Sequence, residues 1–435
     1  MSLTKVSYSM INGTYANVLD FGAVGDGVAD DTAAVVAALA YCSTNGKSLF
    51  VPCVCKLTST VTLPRFVHIS GESSENSGFI YAGTGFAFTR VNGPVLDRQM
   101  RVKYSNFFVR GVDTTQEGAF YFERADIWEM DNLLVHNFKN STNGTAVKMA
   151  ECYWWHIHNS HFYDCGEVTI WMLGNESGFL TGCNAGLFGP KNKISCNNMT
   201  GATAVRCNGQ EIQIFSSDIS GVYNADTAVD IVNGEGIWIH GNYMEQWLQP
   251  VVKSNTDGYP SRRVTISQNM INSTNARGLD FDMTGLTGVN SHITVNENRF
   301  ADMQGTQTAI YFGNTEPWNL SGNDPNFARL SDKVFIEATV WEAKWVPAIQ
   351  GSFTWNPPSI PAGGTDIVEQ VVGQSGITTG DMVVASLTTL GTADLLFTAW
   401  VRAFEVLRFQ LYNPTGAPID LPEGTINFTV FKSRL

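Results

Sequence analysis

The sequence predicts an all-β chain: a right-handed parallel β-helix solenoid with an N-terminal capping helix and a C-terminal β-sandwich domain. Three observations predict it. A short strand pattern returns at one-coil spacing through the middle of the chain, a second strand pattern alternates with it, and β-rich runs punctuated by Gly, Pro and Asp close the sequence. Repeats of about 20–50 residues mean stacked units, each of which buries its apolar face only against its neighbours.

The first element is NVLDFGAVGDGVADDTAAVVAAL, residues 17–39. The open end of a solenoid is an exposed strand edge that recruits other chains unless it is covered. A helix starting near Thr32 is the expected cover, with Asp30 or Asp31 as N-cap and Val35, Val36 and Leu39 on its inner side. Asp26, Asp30 and Asp31 are read as turn and cap residues rather than as a metal site.

Between Arg101 and Phe300 the first pattern is an alternating apolar pair, then Asn, Ser or Asp, then another apolar residue. Its reference positions are Ser105, Asp131, Ser160, Asn197, Ser217, Asn242, Asn269 and Asn298, spaced by 26, 29, 37, 20, 25, 27 and 29 residues. The second pattern is GAFYF (118–122), TAVKM (145–149), TAVRC (203–207), TAVDI (227–231), RGLDF (277–281) and TAIYF (308–312). Period-2 alternation marks both as strands. Turn-position Asn and Ser can hydrogen-bond the neighbouring coil, where a tight bend leaves backbone groups unpaired. The longest interval, around GNESGFLTGCNAGLFGPKNK, predicts a long loop on one coil.

NVLDFGAVGDGVADDTAAV, followed by SLFVPCVCKLTSTVTLP and VHISGES, resembles the start of the pectate-lyase-superfamily β-helix found in bacteriophage tailspikes and capsule depolymerases. The resemblance is specific over residues 17–72 and generic to about 314; Cys53-Val54-Cys55 departs from it, standing where relatives carry a glycine-containing turn. It implies a homotrimer on a virion tail, contacting other phage tail or baseplate proteins and acting on bacterial capsule or O-antigen polysaccharide. Beyond Gly322 the character changes, and proline-rich TWNPPSIPAGG marks a hinge before VEQVVG, MVVASL, LLFTAWV, VLRFQLY and INFTVF. FQLYNPTGAPIDLPEGTINFTVF resembles a C-terminal domain of phage tail proteins that serves trimerisation or receptor binding. The expected division is 1–72 lead-in and cap, 73–322 β-helix, 323–364 connector and 365–435 sandwich.

Composition narrows the chemistry. With 435 residues and a net charge of −13, the chain is poorly suited to binding nucleic acid through phosphates. No segment approaches the roughly 18 continuous apolar residues of a membrane span, and the N-terminus lacks a secretory core, so no membrane insertion and synthesis in a cytoplasm are expected. The eight cysteines lack the paired spacing of a zinc site and read as buried free thiols; no cofactor and no metal are expected.

In the strand register, side chains one and three places after each reference position form outward stripes. Asp218 and Glu245 fall on adjacent coils, offset by two residues, which puts their α-carbons about 8 Å apart from ~4.8 Å strand spacing and ~3.4 Å rise. Carboxyl groups about 5–9.5 Å apart can cleave a glycosidic bond, one protonating the leaving oxygen while the other activates water or attacks. They are the expected catalytic residues, with His158, His161, Tyr163, Trp238, His240 and Tyr243 as substrate-binding residues. A rival stripe holds Tyr121, Lys148, Arg206, Asp230 and Asp280. There Lys148 and Arg206 are expected to hold substrate, and would neutralise a uronate for β-elimination. Asp230 and Asp280 lie two coils apart and need a bridging residue to interact, while Glu211 and Glu235 beside turns are candidates for a subunit seam. Endoglycosidic hydrolysis is the first expectation, a lyase the second, and a non-enzymatic receptor-binding fibre the third.

Overall fold

The computed structural model describes residues 15–92, 98–112, 114–173, 182–196, 199–221, 224–254, 260–272, 278–282, 290–301, 310–313, 315–319, 324–325, 334–336, 347–372, 377, 379, 381–390 and 394–431. Residues 1–340 and 341–435 form two compact units.

The first unit is a parallel β-solenoid of about nine turns. Each coil contributes up to three strands, which define three faces in chain order. In one coil these are Thr145–Ala150, Trp155–His158 and His161–Tyr163. The first and second faces belong to one 22-stranded sheet, because Thr203–Phe215 and Thr227–His240 run through the bend between them; the third face is a separate 12-stranded sheet. Pairing between coils is parallel and level. Along the third face Phe79, Val109, Val135, Phe162, Ile194, Ile219, Met244, Ile271 and Phe300 occupy one inward row, all fully buried. Rings fill the early coils, with Phe122–Trp128 centroids at 4.6 Å and Trp128–Trp155 at 5.9 Å.

The bend between the second and third faces explains the Asn/Ser pattern. Each of its residues Asn106, Asn132, Asn159, Lys191, Ser216, Gly241, Gln268 and Glu297 has a left-handed φ, between 47° and 64°. The next residue turns inward, and its amide cannot follow the ladder. Ser217 N donates to Asn242 Oδ1 at 3.1 Å, Asn242 N to Asn269 Oδ1 at 3.0 Å and Asn269 N to Asn298 Oδ1 at 3.1 Å. Ser160 N reaches Asn192 Oδ1 in the same way at 3.0 Å.

This register corrects three reference positions. Asp131 is level with His158, two residues before the inward position, so the inward members in the early coils are Phe107 and Leu133 rather than Ser105 and Asp131. In the coil after that of Ser160 the member is Asn192, not Asn197, which lies outside the described residues together with Asn198; of the stretch read as a long loop, 174–181 also lie outside them, and Cys183–Asn184 and Leu187–Phe188 are strands of the second face. Apolar residues can take the inward position where the aromatic core reaches it, which hides the pattern from a search for polar residues.

The cap is the helix Thr32–Asn45, burying Ala34, Val35, Ala38, Leu39 and Cys42. Val36 is 47% exposed, contrary to expectation, because one residue is a 100° turn away from Val35. Asp30 Oδ1 accepts from Thr32 N at 3.0 Å, while Asp31 binds back to the amides of Val24 and Gly25 at 2.6 and 3.1 Å. Asp26 closes its own turn onto the Val28 and Ala29 amides. The cysteines are free thiols, all buried except half-buried Cys53.

The second unit holds two three-stranded antiparallel sheets. One is Pro347–Trp355, Gly424–Phe431 and Met382–Leu387; the other is Thr365–Val371, Val406–Tyr412 and Leu396–Ala403. Their core includes Trp355, Leu407, Phe409, Ile426 and Phe428. Pro347–Trp355 lies within the stretch the sequence reads as a connector, and Ile360 in the proline-rich run is buried and bridged to Ile419.

Candidate functional site

The ten expected site residues fall on three faces. Asp218, Glu245, Tyr243, His161 and Tyr163 share the third, His158, Trp238 and His240 lie on the second, and Lys148 and Arg206 on the first.

On the third face one outward row runs Leu134, His161, Lys193, Asp218, Tyr243, Met270, and the next runs His136, Tyr163, Ser195, Ser220, Glu245, Asn272. The expected two-residue offset between Asp218 and Glu245 is present, since Asp218 is level with Tyr243 and Ser220 with Glu245. Tyr243 Oη donates to Glu245 Oε2 at 2.7 Å, and that bond raises the phenol above its usual range. Lys193 Nζ lies 3.5 Å from Asp218 Oδ2. Lys193 follows the inward residue Asn192 and stands between His161 and Asp218. Burial, then Lys193, lowers the His161 pKa. His136 stacks on Tyr163 at 4.5 Å, and burial with Arg110 pushes it down to about 4. His161 Nε2 and Asp218 Oδ1 are both shielded and make no hydrogen bond among the described residues.

On the second face Glu129, Asp131 and His158 bring ligand-type atoms within 4.8 Å of one another. The Lys103 ammonium already bridges the two carboxylates at 2.9 and 2.7 Å, and His158 Nε2 meets Glu129 Oε1 at 2.8 Å. Burial opposes ionisation of both carboxyls, but hydrogen bonds outweigh it and hold them below the usual range, from Lys103 and His158 at Glu129 and from Asn159 and Lys103 at Asp131. A cation is thus built in as a side chain, and His158 serves this network. His240 stacks on Phe215 at 5.4 Å, and Trp238 is 39% exposed.

On the first face the outward row is Tyr121, Lys148, Trp171, Arg206, Asp230, Lys253, Asp280. Trp171, Lys253 and the adjacent Glu167 were missed, although EVTIWML carries the same alternation without its leading Thr-Ala. Lys148 Nζ lies 4.1 Å from the Trp171 ring centre and the Arg206 guanidinium 5.5 Å. Arg206 Nε reaches fully buried Asp230 at 3.2 Å, and Lys253, 3.9 Å from Asp230, is the residue placed between Asp230 and Asp280. Burial raises the Glu167 carboxyl and lowers the Lys148 ammonium, which has no ion pair among the described residues.

The architecture defines a class: a parallel β-solenoid with polar and aromatic side chains ranked along its faces. Solved structures of phage tailspikes share this fold. The chain is similar to the Dettilon tailspike protein, with 13% identity, a TM-score of 0.58, and 96% of this chain and 94% of that one covered. It is similar to a variant tailspike protein of Escherichia coli bacteriophage HK620 solved with a pentasaccharide, with 10% identity, a TM-score of 0.50 and coverage of 98% and 96%. DFA-IIIase from Arthrobacter chlorophenolicus aligns with 12% identity, a TM-score of 0.54 and coverage of 74% and 91%. No family model and no curated protein matches the sequence. Among the described residues no helix is long and apolar enough to cross a membrane.

Proposed function

We propose that this chain is a phage tailspike depolymerase that binds and cleaves a bacterial surface polysaccharide, capsule or O-antigen, by endoglycosidic hydrolysis on the third face. On this reading it works as a homotrimer on the virion tail, beside other tail or baseplate proteins. The observation that carries the reading is the pair Asp218 and Glu245 on neighbouring strands, with the shielded, unmet His161 Nε2 and Asp218 Oδ1 beside it. Asp218, ion-paired to Lys193, is the base or nucleophile; Glu245, whose neighbour is a phenol rather than a cation, is the proton donor. Tyr163 and Tyr243 offer rings and hydroxyls to the sugars on either side. Similarity to tailspikes and to a carbohydrate-active enzyme supports the substrate class.

The test is incubation with purified surface polysaccharides from a panel of strains, followed by sizing of the products. Hydrolysis creates reducing ends without ultraviolet absorbance. Asp218→Asn and Glu245→Gln should each abolish cleavage while the fold is retained; full activity in both removes the site.

A second reading is favoured by the half-buried, unpaired Lys148 ammonium held over Trp171. There Lys148 and Arg206 neutralise a uronate carboxylate, and elimination leaves unsaturated, absorbing ends. Binding to cells with no shortening of the glycan would instead mark a receptor-binding fibre.

A further inference from the structure

We infer a separate binding site for a neutral pyranose ring on the second face, at the cavity over Trp238. The bend into this face repeats a left-handed residue at each level: Arg101, Ile127, Trp154, Ala185, Glu211, Gly236, Arg263 and His292, with φ between 49° and 69°. Level pairing of Gln210, Glu235 and Arg262 fixes Glu211, Gly236 and Arg263 as successive members of that row. Gly236 is the one member without a side chain. The gap it leaves between Glu211 and Arg263 opens a cavity of about 320 Å³.

Trp238 lines this cavity with Thr265 and Thr294, which follow it at the same level on the next two coils. The indole is 39% exposed, whereas Trp128, Trp155 and Trp247 are 2% exposed or less. An exposed indole ringed by two hydroxyls, a carboxylate, a guanidinium and the His292 imidazole offers a flat apolar surface with donors and acceptors at its edge. A pyranose has the matching form, one C–H face and equatorial hydroxyls; an apolar protein segment or lipid chain would leave the polar edge unmet. Charge selects the neutral sugar. Arg263, the fixed cation on the cavity wall, is already paired with Glu235 at 2.5 Å, and exposed Glu211 faces the cavity, so among the described residues the lining favours a neutral sugar over a carboxylate. The site lies across the Gly241–Asn242 bend from Tyr243 and Glu245, and does not depend on whether the chain cleaves glycans.

The test is saturation-transfer NMR with methyl glycosides of glucose, galactose, mannose and rhamnose as probes. The wild-type chain should transfer to at least one of them. The signal should fall about fivefold, equivalent to ~1 kcal/mol, in Trp238→Ala, and persist in Asp218→Asn. Gly236→Asn is the second variant. Asn adopts the same left-handed conformation at Asn106, Asn132 and Asn159, and a Cβ at 236 comes no closer than 3.7 Å to Glu211 N, so the fold should survive while the cavity closes and transfer falls equally. Transfer to none of the four, or undiminished transfer in both variants, overturns the site. So does a Trp238→Ala chain that loses an oligomer while its transfer is unchanged, since the ring would then be a subunit contact.

Discussion

Asn269→Ala tests the framework that carries every face. The Asn269 side chain makes four hydrogen bonds in the interior: Oδ1 accepts from Asn242 N and Nδ2, both at 3.0 Å, and Nδ2 donates to Ile239 O at 2.8 Å and Asn298 Oδ1 at 2.9 Å. A net ~1 kcal/mol for each bond gives about 4 kcal/mol, and the Asn242 amide, buried without a partner, keeps the loss from being smaller. Asn298 Oδ1 retains the Asn269 amide, so the rung below is spared. Because coils contact only their neighbours, the loss should be local to the adjoining turns. Hydrogen exchange resolved at the Asn242 amide, together with denaturant-induced unfolding, measures it. Gln268→Asn next door is the control, exposed and left-handed at φ 55°, and should change stability by less than about 0.5 kcal/mol. If Asn269→Ala costs less than about 1 kcal/mol and the Asn242 amide exchanges as before, the bend amides are satisfied in some other way and the ladder argument fails.

Tyr243→Phe removes the 2.7 Å bond that orients Glu245 and should slow polysaccharide cleavage about tenfold, roughly the worth of one hydrogen bond, with an unchanged unfolding curve. Arg206→Ala removes the 3.2 Å ion pair of fully buried Asp230, which Lys253 still faces at 3.9 Å, and should destabilise the solenoid by about 3 kcal/mol, measured by denaturation; Asp230→Asn in the same background should recover part of it. His136 titrates in the fold at about 4 against 6.5 when free, so the unfolded chain binds the extra proton between those values. Its contribution to stability is therefore complete above pH 6.5 and disappears as pH falls toward 4. NMR titration of the His136 ring should show it neutral at pH 5, and a ring already protonated there would contradict the burial.

Much of the fold is legible in the sequence because strand alternation and coil length are local properties. TAVKM, TAVRC and TAVDI name their own inward and outward sides, and the aspartates ahead of Thr32 announce a turn and a helix start. Five β runs at the C-terminus became strands. The sixth, Pro347–Trp355, was hidden by the prolines that follow it, whose turns belong to the sandwich.

The two-residue offset of Asp218 and Glu245 also follows from sequence, because both sit one bend away from recognisable Ser217 and Asn242. What the tertiary structure alone decided is which rows meet. A solenoid sets neighbours by coil length, and an irregular coil hides which of its own residues follows the bend. The 32-residue step from Ser160 to Asn192 puts Lys193 on the third face, beside Asp218. The bends likewise separate side chains close in sequence, so that His158 and His161, or Trp238 and Tyr243, look outward from different faces. Burial follows the same rule: Asp230, an outward residue by alternation, is fully buried, and its neutralisation by Arg206 and Lys253 comes from coils on either side, a relation that strand periodicity cannot encode.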